Sequence, residues 1–210
     1  MNMKSRFLDY IGQLRIYSLV DLTLLLYVID SNKYELIGGI LLHISFLAYL
    51  ESEHKHKYRA IMPKWIWIIL LIPGILLYNH FSVLGFIIVS YFYTLKNKKY
   101  YGPIAPLLRG MQCLFLVGGV AGYESFITWL VLPIIFIRNL IGDVRDIEKD
   151  RKEDLKTLPI IFGLKKSIPY IHLIFLLFTS LIWFSYSTFR YYYLIGIWVI
   201  EVTTYNLTKR

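Results

Sequence analysis

Long apolar runs, broken by short polar stretches, set the pattern of this chain. Runs suited to helices fall at residues 17–30, 36–50, 65–79, 81–95, 103–122, 125–142, 168–186 and 191–206. Each approaches the ~20 residues that a bilayer's hydrocarbon core asks of a spanning helix, and several fall short of it by a few. The pattern predicts an all-α fold: a polytopic membrane bundle of about eight transmembrane helices. The breaks around Asn32, His80, Gly122 and Ser187 are short, and no Ser-, Gly- or Pro-rich linker divides the sequence. A single membrane domain over 1–210 is therefore expected.

Composition strengthens this picture. With 57% hydrophobic and 17% aromatic residues, the chain falls among membrane proteins and away from the water-soluble class. Charge then orients the bundle, because Lys and Arg gather in cytoplasmic loops. With the N-terminus inside, the inner segments hold Lys4, Arg6 and Arg15, then Lys55, Lys57, Arg59 and Lys64, then Lys96, Lys98 and Lys99, then eight bases from Arg138 to Lys166. The outer side keeps Lys33 and Arg190. The expected localisation is an integral, multi-pass membrane protein, in the cell (inner) membrane, with its charged loops cytoplasmic. The net charge of +9 reads as this orientation signal plus attraction to anionic lipid headgroups, and no nucleic-acid partner is needed to explain it. Cys113 is the sole cysteine, which excludes an intramolecular disulfide and a cysteine-cluster metal site.

Two inner loops, 51–64 and 138–167, carry the candidate chemistry. In the second, Asp143, Asp146, Asp150 and Asp154 fall at i, i+3, i+7 and i+11, one face of a helix if the segment is continuous. Arg145, Lys149, Lys152 and Lys156 take the other side. Aspartates stacked one turn apart repel, so the arrangement calls for a cation against it, and a divalent metal is the candidate. The plain alternative is a solvated, salt-bridged helix. Asp21, His43, Arg109 and Glu201 fall inside the apolar runs, where ionisable residues default to functional roles, although an Asp21–Arg109 structural pair is an equal alternative.

The run Asp143-Val-Arg-Asp146-Ile-Glu-Lys-Asp150-Arg, followed by Lys156-Thr-Leu-Pro159 and Gly163, resembles the second aspartate motif of the UbiA family of intramembrane prenyltransferases. Leu14-Arg15 is similar to that family's early arginine, and Tyr93-Thr-Leu-Lys96 to its Tyr and Lys motif, one residue short in spacing. His56-Lys57-Tyr58-Arg59, closing on Pro63, takes the place of the segment that ends the first aspartate motif. That first motif is degraded: Glu51 and Glu53 stand where an Asn-Asp pair and further aspartates belong. At i, i+2 these two glutamates leave different faces of a helix.

The resemblance implies a short, divergent prenyltransferase that moves an isoprenoid group from a prenyl diphosphate to a lipophilic acceptor, an aromatic one being a candidate, with Mg²⁺ as cofactor. It implies Asp143, Asp146, Asp150, Glu51 and Glu53 as metal ligands. Asp146, Asp150, Lys96 and Arg59 would be catalytic, and Arg15, Lys57, Arg59, Lys96 and Lys156 would bind substrate. Carboxylates would hold Mg²⁺ against the diphosphate, bases would stabilise it as it leaves, and apolar helices would exclude water. The alternatives are a catalytically impaired relative that binds an isoprenoid lipid or a partner enzyme, and a small membrane transporter.

Overall fold

The computed structural model describes residues 17–53, 62–97, 101–164, 168–185 and 191–208. Among these, every regular element is helical. Eight helices lie on the eight apolar runs: α1 (Tyr17–Val28), α2 (Lys33–Glu53), α3 (Lys64–Tyr78), α4 (Ser82–Thr94), α5 (Ala105–Ala121), α6 (Phe126–Arg145), α9 (Ile168–Ser185) and α10 (Tyr191–Thr208). Two short helices, α7 (Ile147–Lys152) and α8 (Leu158–Ile161), follow α6. By length and composition, three helical stretches among the described residues are long and apolar enough to cross a membrane: Lys33–Glu53, Gly102–Ala121 and Phe126–Arg145. Large apolar side chains stand exposed on the others, such as Leu76 at 72% on α3 and Leu181 at 66% on α9, as lipid-facing surfaces require. The protein is an all-helical membrane protein.

The chain divides into two compact units, Met1–Val83 and Leu84–Arg210. In the first, α2 opens on a capping box. Asn32 Oδ1 accepts the N–H groups of Tyr34 and Glu35, and Glu35 Oε2 accepts the N–H of Asn32 at 2.8 Å. The other carboxylate oxygen of Glu35 meets His80 Nε2 at 2.9 Å, which ties the turn after α3 to the start of α2. The two helices approach closely because Gly38 faces Tyr78 and Gly74 faces Leu42. A Cβ at Gly38 would stand 2.5 Å from the Tyr78 nitrogen. Ser45 Oγ donates to the Trp67 carbonyl at 2.8 Å, so the hydroxyl is satisfied without water.

In the second unit, α4 passes through a 3₁₀ turn, Leu95–Asn97, and a second 3₁₀ turn, Gly102–Ile104, leads into α5. Helices α5 and α6 form an antiparallel pair across a turn in which Gly122 takes φ +81° and Thr128 Oγ1 caps its carbonyl at 2.8 Å. Gly110 lets the two backbones meet, since a Cβ there would lie 2.8 Å from the Leu132 carbonyl oxygen. Helices α9 and α10 pack together, and α9 also packs on α6. A buried polar chain runs between α5 and α4: Arg109 Nη1 donates to Gln112 Oε1, and Gln112 Nε2 donates to Ser90 Oγ, both at 2.7 Å.

Candidate functional site

The aspartate segment is not one continuous helix. Helix α6 stops at Arg145, and Asp146 follows with φ −93° and ψ 6°, its N–H still donating to the Gly142 carbonyl at 3.1 Å. The cause is local. Arg145 folds its guanidinium onto the next residue, with Nε and Nη2 donating to the two oxygens of Asp146 at 2.7 and 2.8 Å. Helix α7 then restarts for six residues, and Asp154 reverses the chain in a left-handed conformation, φ +52°. The expected four-aspartate stripe therefore breaks in two places, and the Asp154 side chain stands exposed.

What survives is tighter. Asp143, on the last full turn of α6, lies within electrostatic range of Lys96, Arg145, Asp146 and Asp150. Its Oδ2 is buried and has no hydrogen-bond partner. Asp150 is also buried, at 8% exposure, while its backbone N–H donates to the Asp146 carbonyl at 2.9 Å. One turn before Asp143, Asn139 Oδ1 accepts a hydrogen bond from the Tyr93 hydroxyl at 2.9 Å, and its Nδ2 is buried without a partner. Lys96 Nζ sits 5.1 Å over the Tyr93 ring, so the ammonium is held at this corner by a cation–π contact.

The segment after α7 closes over the same region. Thr157 caps α8 through its carbonyl, and its buried Oγ1 has no partner. The Lys156 carbonyl presses on Gly102, where any Cβ would collide with it, while the Lys156 side chain is exposed. Gly163, at φ +63°, ends the turn, and Leu164 N–H bonds back to the Pro159 carbonyl at 2.8 Å.

The structure thus assembles Lys96, Asp143, Asp146 and Asp150, and adds Asn139 and Thr157. Asn139 carries no charge, so charge patterning missed it. Its place four residues before Asp143, on the same helix face, was the available signal. In the first unit, Glu51 is 3% exposed, whereas Glu53 is exposed and pairs with Lys64 at 3.0 Å. The i, i+2 argument holds: one glutamate turns inward and the other outward. Arg15, Lys57 and Arg59 lie outside the described residues.

Among the described residues, no group of three or more His, Cys, Asp or Glu side chains stands ready to hold a metal. Asp143 and Asp150 still suit Mg²⁺. Both are hard oxygen donors, one with an orphaned buried oxygen, and Mg²⁺ is commonly held by one or two carboxylates, with waters and substrate phosphates completing its shell.

One comparison with known proteins falls on this region. A family model described as "VviA prenyltransferase" matches residues 125–188, which contain α6 to α9 and all the aspartates above. Two curated relatives named digeranylgeranylglyceryl phosphate synthase match as well. The one from Methanosphaera stadtmanae is 30% identical over 124 residues, 55% of this chain and 44% of the relative. The one from Methanocaldococcus jannaschii is 36% identical over 90 residues, 37% of this chain and 29% of the relative. Over these stretches the chain is similar to prenyltransferases. It spans less than half the length of the two relatives. No solved structure matches it. The segment that the family model matches is the one that carries Asn139, Asp143 and Asp150.

Proposed function

We propose that this chain transfers an isoprenoid group from a prenyl diphosphate to a lipophilic acceptor at the inner surface of the membrane. One observation carries the reading: Lys96 lies within range of Asp143, a half-buried aspartate whose Oδ2 is buried and orphaned and which belongs to the segment that matches the prenyltransferase model. Asp143 and Asp150 would hold Mg²⁺, with Asp146 beside them. Bound there, Mg²⁺ would neutralise charge on the leaving diphosphate.

The chain's own groups do the rest. Lys96 supplies a fixed positive charge that stabilises the developing negative charge on the leaving oxygen. The Tyr93 hydroxyl orients Asn139, whose unpartnered Nδ2 is placed to donate to a phosphate oxygen. The Thr157 hydroxyl offers a second neutral donor. Apolar helices keep water from the allylic carbon, so that the acceptor captures it. Glu51 is the acidic residue of the first unit that fits a role in place of the degraded motif, because Glu53 is exposed and paired. Lys156, Arg15, Lys57 and Arg59 would add positive charge for the diphosphate. The N-terminus and the charged loops would lie on the cytoplasmic side, by the distribution of Lys and Arg.

The test is incubation of the purified protein with labelled prenyl diphosphates of several lengths, with and without Mg²⁺. The acceptor panel includes aromatic compounds and glyceryl phosphate lipids, the latter because the relatives' names concern them. Mg²⁺-dependent release of diphosphate, with the label appearing on one acceptor, supports the reading. Binding of prenyl diphosphate without release at any chain length would replace it with the lipid-binding alternative.

A further inference from the structure

The far side of α6 carries a buried polar cluster that the proposed reaction does not use. Arg138, His172 and Glu201 are 9%, 5% and 4% exposed. Arg138 Nη1 donates to Glu201 Oε2 at 2.7 Å, and the other oxygen of Glu201 is hydrogen-bonded to His172 Nδ1. The Arg138 guanidinium lies 4.5 Å from the centroid of Phe175, and Tyr205 meets the His172 ring edge-on at 5.3 Å. One carboxylate on α10 thus grips α6 and α9 together. Below it, Val144 and Ile147 pack against Ile171 and Tyr205.

Helical geometry gives the cluster its meaning. At about 100° per residue, Asn139 and Asp143 stand about 40° apart on one face of α6, and Arg138 stands about 140° from Asp143 on another. The helix is therefore pinned from two sides, by Tyr93 at Asn139 and by Glu201 at Arg138. A buried ion pair is a poor source of net stability, because desolvating both charges offsets their attraction, and apolar replacements are often neutral. Its value lies in fixing one arrangement. We infer that Glu201, gripped by Arg138 and His172, is a positioning residue that sets the rotation of α6, so that Asn139 and Asp143 are presented to Tyr93 and Lys96. The consequence for catalysis rests on the prenyltransferase reading, but the rotation itself is measurable without it.

The experiment uses the full chain in lipid nanodiscs, in a Cys113→Ser background with Tyr93→Cys and Asn139→Cys. A short bifunctional thiol reagent joins the two positions, and the rate of crosslinking reports the rotation of α6 relative to α4. Into this parent we place Arg138→Met with Glu201→Leu, an apolar pair expected to keep the thermal midpoint. Crosslinking slowed about tenfold or more, with the midpoint held and the rate largely restored when Arg138→Lys is placed opposite native Glu201, supports the inference. Crosslinking at the parent rate overturns it, since the cluster would then contribute stability alone. If the double variant does not fold, His172→Asn is read by the same rate, with the same two outcomes. Turnover of labelled prenyl diphosphate by the native chain is followed in parallel. A crosslinking loss beside a native chain that releases no diphosphate upholds the positioning role and removes the prenyltransferase reading.

Discussion

Two helices end in acid, and they end differently. Helix α2 runs straight through Glu51 and Glu53, so its two carboxylates leave on different faces, one buried and one answered by Lys64 in solvent. Helix α6 carries Asp143 on its last turn and then breaks at Asp146, and the chain that follows brings Asp150 back within range of Asp143, which Lys96 also reaches. A regular helix can offer one carboxylate per face at a given level. A broken helix can gather several about one point, at the cost of local repulsion that Lys96 and a bound cation would relieve. The end of α6 thus gathers several charges, whereas the end of α2 turns a single carboxylate inward.

The strongest way to break this comparison is to remove the orphaned carboxylate. Asp143→Asn should lower the rate of Mg²⁺-dependent diphosphate release by about 10³-fold, the scale seen when a principal electrostatic group is lost. Asp150→Asn should behave alike. Neither should lower the thermal midpoint, because an amide relieves repulsion among the aspartates. An unchanged rate in both would remove the α6 end from the chemistry. Next in size, Lys96→Met should cost about 10²-fold in kcat, since it removes charge stabilisation that matters most as the leaving oxygen develops its charge. A rise in KM alone would make Lys96 a binding group only.

The third test sets the two ends directly against each other. Glu51→Gln should slow release by about tenfold or more if one inward carboxylate takes the place of the degraded motif, while Glu53→Gln should leave the rate unchanged. Equal effects from both would contradict the inward and outward split that their burial shows.

The difference in outcome also explains what could be read from sequence. The eight apolar runs and the helices coincide closely, as in 168–186 against Ile168–Ser185, because hydrophobic length is a property of each run alone. The apolar run 36–50 stops short of the end of α2 because Glu51 and Glu53 are polar yet still helical. The aspartate stripe rested on an unbroken period of 3.6, and periodicity cannot reveal that Arg145 would close on Asp146 and end the helix. The Arg138–Glu201 pair joins residues 63 positions apart, so no local spacing could announce it. Asn139 was hidden by its neutrality and becomes visible through the Tyr93 hydroxyl that holds it.

The smallest expected effect concerns the outward glutamate and its partner. Lys64 and Glu53 pair at 3.0 Å with side chains 72% and 41% exposed, where solvent screens the attraction and both side chains give up rotamer freedom to meet. Such a pair contributes about 0.5 kcal/mol or less, so Lys64→Ala should move the thermal midpoint by no more than a degree or two. The contrast with Glu51→Gln is what gives this measurement its use. If Lys64→Ala instead slowed diphosphate release, the end of α2 would be acting as a unit in which the exposed pair holds Glu51 in place, and the simple division into one inward and one outward carboxylate would have to give way.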